Sequence, residues 1–310
     1  MHFIITGGAG FIGSHLTENL LSADHRVTVV DNLSTGCLDN LPAHPHLTLV
    51  NKDILSCQPE DFTTPIDGIA HLAATASVTE SWLHPLAAHH NNLSATLAVI
   101  ELCHHLKIPR LVFTSSAAVY GNPVQLPIAE DHPTVPLSPY GLQKLVGEQY
   151  ASLFSQQYDL SVVTLRLFNV FGPRQMPNSA YSGVISLFTN AMQQGKPISL
   201  YGDGKQTRDF VYVKDVAQAF AQALTTSLPS RSCLTCNIGT GKAISLLQLI
   251  DLLQASFPNW LPEINFLPAR VGDIQDSQAD ISKASLFLNF TPHWSIKSAI
   301  PSFVKLLTYK

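Results

Sequence analysis

The chain has 310 residues, of which 45% are hydrophobic and 13% charged, with a formal net charge of −4 and a mean hydropathy of +0.15. That composition excludes a disordered chain, which needs low hydrophobicity and high net charge, and it offers no basic excess for nucleic acid. No run approaches the roughly 20 apolar residues needed to span a bilayer, so the apolar excess is expected in a folded core with no membrane partner. In chain order, short runs rich in Val, Ile, Leu and Phe at 2–6, 26–30, 47–50, 68–72, 110–114 and 161–168 read as strands of a parallel sheet covered on both faces. Helical stretches at 14–22, 86–105 and 140–157 lie between them, so the first half reads as a doubly wound α/β sheet. Beyond Phe171 the pattern loosens, with helices expected at 182–194, 213–224, 245–256, 281–288 and 296–307. The strand-like stretches 209–212 and 233–238 are expected to return to the first sheet. Residues 1–170, completed by elements near 209–240, then form a nucleotide-binding domain, and 171–310 a smaller interleaved lobe.

The first residues lack the basic region and cleavage-like site of a secretory leader, and the five cysteines are an odd number, so reduced thiols and a cytoplasmic location are expected. Cys233 and Cys236 have C-x-x-C spacing, but on a strand those positions point to opposite faces and no second pair accompanies them. The 13 histidines show no ligand spacing either, so no metal site is expected.

Gly7, Gly8, Gly10 and Gly13 follow the first strand and open the first helix. Glycines there permit a tight turn and close backbone approach to a pyrophosphate, and the helix N-terminus offers unpaired N–H groups to it. Asp31 closes the second strand, where a carboxylate accepts hydrogen bonds from a ribose diol and repels a 2′-phosphate. No arginine follows it in Asn32-Leu33-Ser34-Thr35-Gly36, so NAD is favoured over NADP. Further along, Tyr140 and Lys144 stand four residues apart on one helical face. An ammonium beside a phenol favours the phenolate and is expected to lower its pKa toward the working range. Ser115 and Ser116 lie at the carboxyl end of the strand at 110–114.

The segments TGGAGFIGSHL (6–16), DNLSTG (31–36), HLAA (71–74), SSAAVYG (115–121), SPYGLQK (138–144), LRLFNVFGPRQ (165–175), YGDGKQTRDFVYVKD (201–215) and RVGD with ADISKA (270–284) run the length of the chain. Through them the sequence resembles the extended short-chain dehydrogenase/reductase family, and within it the nucleotide-sugar 4-epimerases. The resemblance implies NAD contacts at Phe11, Ile12, Asp31, Asn32, Ser34, Gly36, Asp53, Ile54, Ala73 and Asn92, beside Gly7, Gly10, Gly13 and Ser115, with Phe168 near the nicotinamide. It implies a catalytic group of Ser116, Tyr140 and Lys144, Ser116 being preferred because the family's hydroxyl stands directly before A-x-V-Y-G. It also implies contacts to a UDP-sugar from Asn169, Val184, Tyr201, Arg208, Arg270 and Asp273, guanidinium suiting phosphate by its fork of donors. Tyr201 and Phe210 read equally well as core aromatics, and Arg208 as the partner of Asp209 in a surface ion pair.

The implied reaction is inversion at C4 of a UDP-hexose or UDP-N-acetylhexosamine through a 4-keto sugar. Related dehydratases and decarboxylases carry an acidic residue just past the catalytic hydroxyl, because elimination needs a further acid and base. This chain has Ala117-Ala118, which favours epimerisation. A non-catalytic NAD-binding sensor or scaffold is the reading of another class, disfavoured by the intact serine, tyrosine and lysine. Ser277, seven residues beyond Arg270, stands where the family has a gate: a small side chain leaves room for an acetamido group. Leu167, where many relatives have tyrosine, and Asp276, before the gate, depart from the family pattern. The resemblance further implies a homodimer packed through the helices at 86–105 and 140–157, with Leu93, Leu97, Ile100 and Leu145 on that face.

Overall fold

A computed structural model describes residues 1–175, 183–261, 263–269 and 274–308. Strand β1 (His2–Thr6) leads into α1 (Phe11–Ser22), followed by β2 (Arg26–Val30), β3 (Leu47–Val50) and β4 (Gly68–His71). Short helices α2 (Val78–Leu83) and α3 (Pro85–His89) precede α4 (Ala95–His105), β5 (Arg110–Ser116), α5 (Pro139–Gln157) and β6 (Ser161–Leu167). Next come β7 (Asn169–Phe171), α6 (Val184–Gln193), β8 (Ile198–Tyr201), β9 (Thr207–Tyr212), α7 (Val213–Thr225) and β10 (Cys233–Ile238). The remaining elements are β11 (Ala243–Ser245), α8 (Leu246–Gln254), β12 (Ile264–Leu267), α9 (Ser282–Leu288) and α10 (Ile296–Thr308).

Seven of these strands form one parallel sheet in the order β3-β2-β1-β4-β5-β6-β10. Both of its faces are largely apolar where helices cover them. Phe3 and Ile5 of β1 join Leu16 and Leu20 of α1 and Phe220 of α7 in one core. Ile4, between them, joins Val99 and Ile100 of α4 in another. This period-2 split is what turns the near-continuous apolar strands of the sequence into a doubly wound, Rossmann-type fold. Strand order reverses between β1 and β4, and the crevice outside the carboxyl ends at such a reversal is where open α/β sheets bind ligands.

Two smaller sheets, β11-β9-β7 and β12-β8, complete the architecture. The stretch at 233–238 returns to the large sheet beside β6, as expected, whereas that at 209–212 does not: it lies in β9, between β7 and β11. The reason lies in its two faces. Val211 enters the core of the large sheet, while Phe210 and Tyr212 enter a separate core with Phe171, Phe188, Leu249, Trp260 and Phe303.

The single helix expected at 86–105 is also broken. Residues His90–Ser94 form a wider π-helical turn between α3 and α4, a feature that often marks functional sites. There the Thr96 hydroxyl donates to the Asn92 carbonyl at 2.6 Å, and the Asn92 side chain is drawn out of helical packing to partners on two other segments. On β10, Cys233 is exposed and Cys236 buried, the opposite-face arrangement expected of a strand.

Candidate active site

The glycine loop is held by backbone bonds before any side chain contributes. Gly7 N–H donates to Val30 O at 2.8 Å and Gly10 N–H to Gly7 O at 3.1 Å. Gly13, in the first turn of α1, sits so close to the loop that a Cβ there would be 2.2 Å from Gly7 O. No side chain can therefore occupy the space between β1 and α1, and the N-terminus of α1 opens on the crevice. Asp31, 8% exposed, locks the loop to the end of β2: it accepts from Ala9 N at 2.9 Å and Leu33 N at 2.8 Å. Each of its oxygens keeps a further lone pair for a diol. Asn32 donates to Asp53 Oδ2 at 2.9 Å, and Asp53 caps the short turn at Ile54–Ser56.

At the other side of the crevice, β5 ends in the two serines on opposite faces. The Ser115 hydroxyl, 1% exposed, turns inward and donates to Glu148. Ser116 turns outward, caps the turn at Ala117–Val119, and is hydrogen-bonded to the Tyr140 phenol. Helix α5 delivers that phenol. Ser138 caps it by accepting from Gly141 N at 3.1 Å, Pro139 occupies its first turn, and Tyr140 N–H donates to Ser81 Oγ at 3.1 Å. Gly147 lets the helix lie against β5, since a Cβ there would be 2.7 Å from the Phe113 ring.

Lys144, 4% exposed, donates from Nζ to Thr114 O at 2.9 Å and lies 5.9 Å from the centroid of the Tyr140 ring. Burial lowers its pKa to about 8, against the opposing charge of Glu148. Tyr140 moves the other way from the sequence expectation. Burial raises its pKa above the ordinary phenol value, with the Ser116 hydrogen bond pulling it back. Desolvation of the phenolate outweighs the help that the Ser116 hydrogen bond gives it.

One cleft of about 660 Å³ joins these parts. Of the residues expected in it, Gly7, Gly10, Phe11, Ile12, Gly13, Asp31, Asn32, Ser34, Asp53, Ile54, Ala73, Ser115, Ser116, Tyr140, Lys144, Phe168 and Asn169 line its wall. Gly36 and Asn92 do not. Gly36 packs behind Asp31, where a Cβ would be 2.8 Å from its carboxylate. Asn92, 3% exposed, accepts from Thr75 N at 2.7 Å and donates to Gln143 Oε1 at 2.7 Å, so it shapes the wall from behind.

Besides Asn169, the expected sugar-nucleotide residues fall into two groups. Val184, Tyr201, Arg208 and Ser277 lie outside the lining. Val184 packs against the second core, the Tyr201 carbonyl accepts from Gln206, and the Arg208 guanidinium donates to Thr207 O at 2.8 Å. Ser277 is buried rather than solvated, on a segment tied to Thr207 through Gln275 O and Asp276. Arg270 and Asp273 lie outside the described residues. Phe210 is settled as a core aromatic, edge-on to Phe171. The Arg208–Asp209 ion pair is replaced: Asp209, fully buried, accepts instead from Thr240, Gly241 and Ala279.

Lys52, Asn91, Arg174 and Gln175 also line the cleft, without having been expected there. Arg174 sits in the GPRQ segment, the one signal for its place, and its side chain pairs with Glu18 of α1. Of the expected dimer residues, Ile100 is fully buried, Leu145 packs against the cluster of Val119, Tyr120 and Phe168, and Leu93 and Leu97 are half-buried. The exposed apolar side chains nearby are Trp82, Leu83, Leu86, Leu142 and Leu153.

A doubly wound sheet, a glycine loop backed by a strand-end carboxylate, and a Ser-Tyr-Lys group facing it define a dinucleotide-binding protein of the extended short-chain dehydrogenase/reductase type. The chain belongs to the NAD-dependent epimerase/dehydratase family, whose model matches residues 3–239. Among solved structures it is similar to the UDP-N-acetylglucosamine 4-epimerase of Methanobrevibacter ruminantium, in complex with UDP-N-acetylmuramic acid, with a TM-score of 0.94, 36% identity and coverage of 99% and 98% of the two chains. The UDP-glucose 4-epimerase of Thermotoga maritima, with UDP-glucose, gives 0.92, 32%, and 100% and 99%. The UDP-glucuronic acid 4-epimerase of Bacillus cereus, with UDP-glucuronic acid and NAD, gives 0.91, 32%, and 100% and 99%. NAD is the cofactor of this family, and the side-chain-free loop, the α1 N-terminus and Asp31 fit it.

Proposed function

We propose that the protein inverts C4 of a UDP-hexose or UDP-N-acetylhexosamine. The observation that carries this reading is the Ser116–Tyr140–Lys144 group in the same cleft as the glycine loop. Bound NAD supplies the acceptor, and then the donor, of the hydride at C4. Tyr140 takes the proton of the 4-hydroxyl in the forward step and returns it in the reverse, so C4 becomes a ketone and then an alcohol again. Ser116 holds the phenol oxygen by hydrogen bond, and the Lys144 ammonium stabilises it when it is charged. Because proton and hydride both come back, no net redox change occurs, and inversion requires only that the keto sugar present its other face.

Elimination and decarboxylation are disfavoured by the lining. Among the described residues its only carboxylates are Asp31 and Asp53, both at the glycine-loop end. The turn after Ser116 is Ala117–Val119, with no acid to serve C5 or C6. The small, buried Ser277 supports N-acetylated sugars beside plain hexoses.

Incubating the protein with UDP-glucose, UDP-N-acetylglucosamine, UDP-glucuronic acid and dTDP-glucose, then resolving the products, tests the reading. The 4-epimers of the first two are expected; carbon dioxide or a 4-keto-6-deoxy sugar would overturn it. The same reading includes a homodimer built on Trp82, Leu83 and Leu86 from α2 and α3 with Leu142 and Leu153 of α5, for which a monomeric mass in solution would be the contrary result.

A further inference from the structure

A buried polar cluster lies directly beneath the catalytic group. Glu148, 9% exposed, stands one helical turn beyond Lys144 on α5. Arg166 of β6, 7% exposed, grips its carboxylate with two prongs, Nε donating to Oε1 at 3.0 Å and Nη2 to Oε2 at 2.7 Å. The Ser115 hydroxyl donates to the same Oε1. Arg166 Nη1 continues to the Tyr120 hydroxyl at 2.9 Å and the Glu130 carbonyl at 3.0 Å, and Tyr120 donates to Asn237 Oδ1 of β10 at 2.6 Å. Three strands and α5 are thus joined under the site by one hydrogen-bonded chain.

The groups facing the Lys144 ammonium come from three elements. Strand β5 gives the Thr114 carbonyl and the Phe113 ring, β4 gives His71, and α5 gives Tyr140 and Glu148. His71 is buried and held neutral, so Glu148 is the anion acting on the ammonium among the described residues. Left alone, a buried carboxylate so near would compete with Tyr140 for the lysine. Paired with Arg166 it is close to neutral as a unit and fixed in place.

We infer that Glu148, Arg166 and Ser115 are positioning residues for the Ser116–Tyr140–Lys144 group: the ion pair sets how much negative charge reaches Lys144, and the Ser115 hydroxyl anchors the strand end that carries Ser116. The inference rests on the proposed reading of Tyr140 and Lys144 as the proton-handling pair. Its signature is a change of sign. Glu148→Gln removes an anion near the ammonium and leaves an extra cation, so the lysine loses its proton more easily. Arg166→Met leaves the anion unopposed and does the reverse.

The test is the kcat–pH profile of the NAD-loaded enzyme on UDP-glucose and UDP-N-acetylglucosamine, with NAD content and melting temperature measured alongside. Glu148→Gln should move the alkaline limb down, and Arg166→Met up, by about half a pH unit or more. The double variant and Arg166→Lys should return it to the parent position. Ser115→Ala, which leaves no buried charge unpaired, should lower kcat roughly threefold to tenfold with KM and NAD content unchanged. An alkaline limb that stays in place in every variant that folds, or Ser115→Ala with parental kcat, overturns the inference. Tyr140→Phe is run in the same series. Substantial turnover there overturns the reading of the group itself, whereas an inactive Tyr140→Phe beside unmoved limbs overturns only the positioning role.

Discussion

At the glycine-loop end of the cleft the wall is backbone: Gly7 and Gly10 bonded to their neighbours, Gly13 pressed against Gly7, and one carboxylate, Asp31, holding two amides. At the Tyr140 end the wall is side chains, each placed by partners distant in sequence: Ser116 and Ser115 from β5, Lys144 and Glu148 from α5, Arg166 from β6. On the proposed reading, the first end takes a pyrophosphate and a ribose, groups common to many ligands, and needs only close approach and N–H donors. On the same reading the second handles one proton, so it depends on charge and burial. A fixed shape suffices for holding a cofactor, while chemistry needs tuned side chains.

If the two ends divide the work in this way, Tyr140→Phe should lower turnover by roughly 10²–10⁴-fold while bound NAD and melting temperature stay as they were. Loss of NAD in that variant would break the division. Gly13→Ala is its counterpart: a methyl 2.2 Å from Gly7 O must push β1 and α1 apart. The expected result is NAD binding weakened at least tenfold and stability lowered by about 1–3 kcal/mol; calorimetry showing parental NAD affinity would contradict it.

Between the ends lies His71, 2% exposed, bonded to Thr6 Oγ1 at 2.7 Å and Thr96 Oγ1 at 3.3 Å. Thr96 already donates to Asn92 O, so it accepts from Nε2, and Nδ1 accepts from Thr6. Burial, aided by the Lys144 charge, lowers the pKa of His71 to about 3 from the ordinary imidazole value of 6.5. The unfolded chain therefore binds a proton below pH 6.5 that the folded chain refuses, and stability falls as pH drops through that window. Between pH 6.5 and 5 the loss from this side chain is about 2 kcal/mol, readable as a lowered urea midpoint that His71→Gln flattens. The smallest effect is expected at Ser277, outside the lining: Ser277→Tyr should disfavour UDP-N-acetylglucosamine relative to UDP-glucose by about tenfold or less, with NAD affinity unmoved. An unchanged ratio would remove Ser277 from the determinants of specificity.

The division also explains what the sequence made legible. The strands of the large sheet and the cofactor end could be read because their signals are local: apolar runs, glycines at fixed spacing, a carboxylate closing a strand. Tyr140 and Lys144 were visible for the same reason, being one helical turn apart. The partners of Asp209 were not, because Thr240 and Ala279 approach it only in the fold. Nor was the pairing of Glu148 with Arg166, two charges that a sequence reader assigns to solvent. The π turn at His90–Ser94 escaped notice because periodicity on either side of it is helical. The raised pKa of Tyr140 escaped because burial leaves no mark in residue order.

Strand β9 has a kinetic consequence. Its alternate residues belong to different cores, Val211 to that of the large sheet and Phe210 and Tyr212 to that beneath the smaller ones. Pulling the two cores apart would strip packed surface from this strand on both sides at once, so the pieces are riveted rather than hinged. A cofactor held along the cleft would then have to leave without the two cores separating. That would suit the proposed reaction, which returns its cofactor to the starting state in each turnover.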